Sequence, residues 1–156
     1  KGGENMLAYS AVGDQNAAAS GAASGIVKVE TPATTRRAYV FKWTVGPEGG
    51  AASDNTLSIR LKRQSTAGTW TSVTPSPLDD EDAVSLCVAG SNSTGAGTAG
   101  VILIEIGINA RSTWTDVAVP GAEYVVPSTS AAGIIMEFGT ISGGTDLMIG
   151  TMFWWE

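Results

Sequence analysis

The stretch Leu57-Ser58-Ile59-Arg60-Leu61-Lys62-Arg63 alternates strictly, with Leu57, Ile59 and Leu61 on one side and Ser58, Arg60 and Lys62 on the other. A period of two places successive side chains on opposite faces of a strand, so this run is a half-buried β-strand with one dry face. Runs of the same length recur along the chain. Ala38 to Val45 sets Tyr39, Phe41, Trp43 and Val45 on one face. Val101 to Ile108 sets Ile102, Ile104, Ile106 and Ile108 against Val101, Leu103 and Glu105. Met6 to Val12, Thr69 to Thr74, Ser112 to Val117, Glu123 to Val126, Ile134 to Phe138 and the terminal Leu147 to Glu156 complete nine candidate strands. Gly46-Pro47-Glu48-Gly49-Gly50, Ala67-Gly68, Ser91 to Gly97, Pro120-Gly121 and Ser142-Gly143-Gly144 separate them as turns and loops. With 20 glycines among 156 residues and only 15% charged residues, against a usual ~25%, the pattern predicts an all-β fold, a jelly roll or antiparallel β-sandwich.

The organisation expected is an extended N-terminal arm over residues 1–35 and a jelly-roll domain over residues 36–156. The arm contains the small-residue tract Ala17-Ala18-Ala19-Ser20-Gly21-Ala22-Ala23-Ser24-Gly25, which carries too little apolar mass for a core of its own. One short helix is expected, about Asp79 to Ala89. In Ser76-Pro77-Leu78-Asp79-Asp80-Glu81-Asp82-Ala83-Val84, Asp79 suits an N-cap and the next three acids suit a first turn. Ala83, Val84, Leu86 and Cys87 follow at helical spacing, and Gly90 suits a C-cap. A calcium loop of the EF-hand kind would want alternating oxygen ligands and a mid-loop glycine, and the acidic run has none.

Several function classes are set aside by what the chain lacks. It has no histidine and one cysteine, Cys87. That removes the histidine-dependent nucleophile arrangements and the usual zinc and copper ligand sets. No catalytic residue, metal ligand or cofactor site is assigned. A net charge of −6 with scattered basic residues argues against nucleic acid as a partner. No apolar run is longer than four residues, as in Val101 to Ile104, far below the ~20 residues a membrane-spanning helix needs. Lys1 leads into the polar Gly2-Gly3-Glu4-Asn5, so no secretory leader is expected.

Two stretches carry a resemblance. One runs from Asp54-Asn55-Thr56-Leu57 through Arg63-Gln64-Ser65-Thr66-Ala67-Gly68-Thr69 to Val73-Thr74-Pro75-Ser76-Pro77-Leu78-Asp79. The other is Arg111-Ser112-Thr113-Trp114 with Pro120-Gly121-Ala122-Glu123-Tyr124-Val125-Val126-Pro127. Together, over roughly residues 36–156, the chain resembles a group of small proteins encoded beside the major capsid protein in tailed-phage genomes. The resemblance implies a jelly-roll capsid decoration (cement) protein: a structural virion protein, not an enzyme. It would sit on the outer surface of the major capsid protein, assemble in the host cytoplasm and need no cofactor. The two apolar faces of Val101 to Ile108 and the terminal Phe153-Trp154-Trp155 point to self-association as a homotrimer. Leu7, Tyr9, Trp114, Phe153, Trp154 and Trp155 are the candidate protein-interface residues. Two other readings stand beside this one. A carbohydrate-binding jelly-roll module of a head fibre or adhesin would use Trp70, Trp114, Trp154 and Trp155, and a carboxylate hydrolase would use Glu105 and Asp82. The bland reading of Glu105 is a rim position or a partner such as Arg111.

Overall fold

The chain pairs with itself from its two ends inward. In the computed structural model, which describes residues 6–17, 24–32, 36–49, 54–95, 97–141 and 146–156, β1 (Ala8–Asn16) runs antiparallel to β12 (Leu147–Trp155). In the same way β2 (Gly25–Glu30) pairs with β11 (Gly133–Ile141), β3 (Ala38–Pro47) with β10 (Tyr124–Val126), and β4 (Thr56–Gln64) with β8 (Ala99–Asn109). Successive pairs enter alternate sheets. An antiparallel ribbon rolled up in this way is a jelly roll, so the all-β sandwich expected from the alternating runs is the fold observed. The first sheet has the order β10-β3-β12-β1-β6, where β6 (Ser76–Pro77) lies outside β1, and β9 (Trp114–Val117) shares the outer side of β3 with β10. The second sheet has the order β5-β7-β2-β11-β4-β8, extended beyond β2 by β7 (Val88–Gly95) and β5 (Thr69–Val73).

The core lies between the sheets and follows the period-two code. On the first sheet Tyr9, Ala11, Met148, Met152, Trp154, Val40, Trp43 and Val45 point inward. On the second, Val29, Met136, Phe138, Leu57, Ile59 and Leu61 meet them, all buried. Tyr9 stacks on Trp154 with ring centroids 6.1 Å apart. At the middle of the first sheet Gly13 faces Gly150 across the β1–β12 ladder. A Cβ at Gly150 would come within 2.6 Å of the Met136 sulfur and 3.0 Å of an Ile26 methyl, so this glycine pair sets how closely the sheets approach.

Three main expectations are corrected, and two smaller ones with them. The N-terminal arm is not an arm: β1 is an inner strand of the first sheet and β2 an inner strand of the second, with Tyr9, Ala11, Ile26, Val27 and Val29 in the core. The rolled ribbon needs a partner for its last strand, and β1 supplies it. Residues 1–5 and most of the small-residue tract, 18–23, lie outside the described residues.

The helix over Asp79–Ala89 is not formed. Asp79 does cap, accepting the Glu81 N–H at 3.1 Å, but it closes a turn, with the Asp82 N–H on the Asp79 carbonyl at 3.0 Å. Side chains then take the backbone groups a helix would use. The Tyr9 hydroxyl donates to the Ala83 carbonyl at 2.7 Å, Glu156 accepts the Leu86 N–H at 2.9 Å, and Ser85 Oγ accepts the Cys87 N–H at 3.0 Å. Of the apolar stripe Cys87 packs into the core, while Leu86 and Val84 stay 48% and 82% exposed. The segment Ser91 to Gly97, expected as a loop, is mostly β7, and β2 was not among the expected strands although Ile26-Val27-Lys28-Val29 carries strand-forming residues.

The third correction concerns β3. Strict alternation would put Tyr39, Phe41, Trp43 and Val45 on one face. The β3–β12 register instead slips by one residue, pairing Trp154 with Val40 but Phe153 with Lys42. Phe41 is the extra residue of a β-bulge, and a bulge reverses the phase of everything beyond it. Val40 and Trp43, three positions apart, are therefore both in the core.

Candidate binding face on the first sheet

The bulge creates the most distinctive surface of the molecule. Tyr39 pairs with Trp155 and Lys42 with Phe153 in register, and these residues, with Phe41, lie on the solvent side of the first sheet. Phe41 stacks on Trp155 at a centroid distance of 4.3 Å and an interplanar angle of 19°. It meets Phe153 at 6.3 Å and 45°. The Lys42 ammonium sits 4.8 Å above the Phe153 ring, a cation–π contact. The edge strand holds the bulge in place: the Ala118 N–H donates to the Phe41 carbonyl at 2.8 Å. Along the same face Val117, opposite Lys42, is 61% exposed, and Val12, opposite Thr151, is 47% exposed. All four rings of the face are only partly buried. The outer face of this sheet thus carries aromatic and aliphatic side chains that are partly open to solvent.

The edge of this face is pinned by Asp116. One of its carboxylate oxygens accepts from the Trp43 indole and from the Tyr124 hydroxyl, both at 3.1 Å. Burial, and then the Asp116 carboxylate, push the Tyr124 hydroxyl up from its ordinary value. Just past the end of β12, Glu156 bridges to the β7 entrance through the Leu86 N–H and the Cys87 thiol, the latter at 3.2 Å. Burial first, then Glu156, drive the Cys87 thiol well up, so it is protonated and unreactive at neutral pH.

The candidate interface residues divide. Phe153 and Trp155 lie on the outer face together, and Trp114, at 40% exposure, is on the neighbouring edge strand β9. Tyr9 and Trp154 do not belong to a surface: they are 1% and 0% exposed and form the core stack. Leu7 continues the β1–β12 ladder through its hydrogen bonds with Glu156 and packs against the core. Tyr39, Phe41 and Lys42 were missed as surface residues, because strict alternation groups Tyr39 and Phe41 with Trp43 and Val45 and nothing in the run itself marks a bulge.

The carboxylates proposed for hydrolysis are apart. Asp82 lies in the turn over Tyr9, while Glu105 is on the outer side of the second sheet, hydrogen-bonded by Ser58. Arg111, its expected partner, pairs with Asp54 at 3.5 Å. Among the described residues no group of three or more acidic or cysteine side chains is placed to hold a metal ion, and no helix is long and apolar enough to cross a membrane. No family model matches the chain, and no curated protein or solved structure matches it significantly.

Proposed function

We propose that this protein is a structural virion component that decorates a phage capsid. In this reading it docks on the outer surface of the major capsid protein, three copies seated together on the shell. The observation that carries the reading is the aromatic face of Phe41, Phe153 and Trp155, lidded by Lys42 and left partly open by the described residues. Large rings on a rigid sheet are the residues that dominate protein–protein binding energy, because they bury much area at little cost in conformational entropy. A shell offers many identical docking points, so modest single contacts add up across the lattice. The resemblance of residues 36–156 to small proteins encoded beside capsid genes gives this face its partner.

The same geometry weighs against a sugar platform. Trp154 is buried, one ring face of Trp155 is taken by Phe41, and Trp70 lies over Gly90 and Gly25, so the four tryptophans do not form the open flat row such a module needs.

The test is co-sedimentation of the purified protein with undecorated capsids, comparing wild type with the double variant Phe153→Ser/Trp155→Ser. Both substitutions lie on the solvent side, so the variant is expected to stay folded by circular dichroism and to lose at least tenfold in capsid affinity. Unchanged capsid binding by a folded variant overturns the docking face. Absence of the protein from purified virions overturns the assignment as a whole, and retention on a glycan array in its place favours the adhesin reading.

A further inference from the structure

Among the described residues β8 is an edge strand with no strand paired to its outer side. It closes the second sheet, pairing with β4 on one side only, and at eleven residues it is the longest strand of the fold. The other edges are short or polar: β6 has two residues, β10 three, β9 four, and β5, Thr69–Val73, is rich in threonine and serine. Natural sheets normally blunt a long apolar edge with lysine, proline or a cover. The stretch Ile104 to Asn109 has neither residue, and its one charge, Glu105, is turned away. Its side chain is hydrogen-bonded to Ser58 on β4, and its carboxylate reaches toward Gly139 on β11.

The hydrogen-bond parity of this edge can be worked out. The β4–β8 register pairs Leu57 with Ile108, Ile59 with Ile106 and Leu61 with Ile104. The Ala110 N–H donates to the Asn55 carbonyl at 2.8 Å, which makes 110 and 55 a mutually bonded pair. By alternation, Ile108, Ile106 and Ile104 spend their backbone groups on β4. Glu105 and Gly107 then direct both N–H and C=O outward, and both residues are exposed. At Asn109 the carbonyl already accepts from the Ser112 N–H. Gly107 adds a second observation. Its φ is not positive, and a Cβ there would meet nothing within 4 Å. The fold therefore needs neither its flexibility nor its small size, while a glycine inside a strand weakens it.

We infer that β8 pairs antiparallel with β8 of a second copy about a twofold axis at Ile106, with Glu105 of each copy opposite Gly107 of the other. In this register the two residues with both backbone groups free satisfy each other reciprocally, giving four hydrogen bonds. The small Gly107 leaves room beside Glu105, and Ile106 meets Ile106 on the core side of a sheet now continuous across two molecules. An isologous contact of this kind closes on itself and gives a dimer. It uses the edge of the second sheet, so it stands apart from the docking face on the first sheet and does not depend on the capsid reading. A docked copy would still have this edge available to join a neighbour.

The sign of a charge at position 107 tests the register. Open space at Gly107 makes both Gly107→Glu and Gly107→Lys tolerable to the fold, which the melting temperature checks. In the proposed register Gly107→Glu sets carboxylate against carboxylate at both rungs, and Gly107→Lys sets an ammonium against Glu105. Light scattering and sedimentation should give a dimer for wild type at micromolar concentration. The pairing should weaken about tenfold or more for Gly107→Glu and be kept or strengthened for Gly107→Lys. In wild type, the Glu105 and Gly107 amides should gain protection from hydrogen exchange as concentration rises, and the amides of β5 should not. A wild-type monomer through high micromolar concentration, a closed trimer, equal weakening by both charges, or amides at 105 and 107 that exchange independently of concentration would each overturn the inference.

Discussion

The two sheets turn opposite surfaces to solvent. Outside the first sheet lie Tyr39, Phe41, Phe153, Trp155, Val12 and Val117, with Lys42 laid over a ring. Outside the second sheet runs a lattice of ion pairs. The Lys28 ammonium meets Glu30 at 2.6 Å and lies 5.7 Å from the Trp70 ring, and Glu137 takes Arg60 at 2.6 Å and Lys62 at 2.7 Å. Gln64 reaches from β4 past Gly133 to Glu30 at 3.4 Å. These charges are not loosely solvated: Lys28, Lys62 and Glu137 are 5%, 7% and 4% exposed. A charge lattice that satisfies itself has little to offer a partner, whereas rings with open sides gain from being covered. Of the two outer faces the aromatic one is therefore the one suited to a docking partner, while the ionic face of the second sheet secures the fold and leaves only its β8 edge to the proposed self-pairing.

The harshest way to break this comparison is to remove residues 1–25. The deletion takes β1 out of the interior of the first sheet, opening β12 and unseating Tyr9 from Trp154. The chain should fail to fold, seen as loss of the β circular-dichroism signal and of a cooperative melt. A folded, melting truncation would show that the first strand is dispensable and that the segment is an arm after all.

The next largest effect should come from Glu137→Ala on the second sheet. It leaves Lys62 buried without its carboxylate and removes one from Arg60, and breaking one side of a buried pair costs about 3–5 kcal/mol. Denaturant melts should register that loss while capsid binding by the surviving folded fraction stays the same. The Phe153→Ser/Trp155→Ser variant should show the reverse split, a smaller loss of stability with a large loss of binding.

How much of this contrast could be seen in the sequence depends on the strand. In β4 the alternation of Leu57, Ile59 and Leu61 with Ser58, Arg60 and Lys62 places both the core and the ionic exterior correctly, because β4 keeps one phase along that stretch. In β3 the same rule fails, because the bulge at Phe41 arises from the fit to β12, which is over a hundred residues away in the chain. β7 hides for another reason: Gly90-Ser91-Asn92-Ser93-Thr94-Gly95 is loop-like in composition. It is a strand because Ser91 and Ser93 serve as buried hydrogen-bond partners, Ser91 Oγ for the Asp14 N–H at 3.0 Å and Ser93 Oγ for the Gly25 N–H at 2.8 Å. Of the terminal aromatics, local pattern alone could tell that Trp154 and its neighbours face opposite ways, but not which side was core.

A milder perturbation acts where the sheets meet. Cys87, ordinarily near 9.0, and Tyr9 and Tyr124, ordinarily near 10.0, are all raised, first by burial and then by the carboxylates of Glu156 for Cys87 and Tyr9 and of Asp116 for Tyr124. A raised folded-state value means that the unfolded chain loses its proton first. The associated stability is complete below about pH 9 and is lost as the pH climbs through the raised values. The melting temperature should therefore hold from neutral pH to about 9 and fall above it. Cys87→Ala should move the onset toward 10, and an onset unchanged by that substitution would place the sensitivity elsewhere.

The smallest effect is expected at Asp79, where the acidic run begins. Its carboxylate accepts one N–H, that of Glu81, in an exposed turn, and its backbone carbonyl holds the Asp82 N–H whatever the side chain. Asp79→Ala removes the first bond and keeps the second. Because the turn caps no helix, the loss should fall at or below the ~0.5 kcal/mol lower end of the range for a helix cap. The neighbouring Asp80 and Glu81 are exposed and lie in a turn outside both sheets, so neither capsid binding nor the melting profile with pH should change. A loss of about 2 kcal/mol or more, at or above the upper end of that range, would mean that the turn anchors the crossing of the chain from β6 to β7. A drop in stability on adding a chelator to the wild-type protein would mean that the four acids hold a cation.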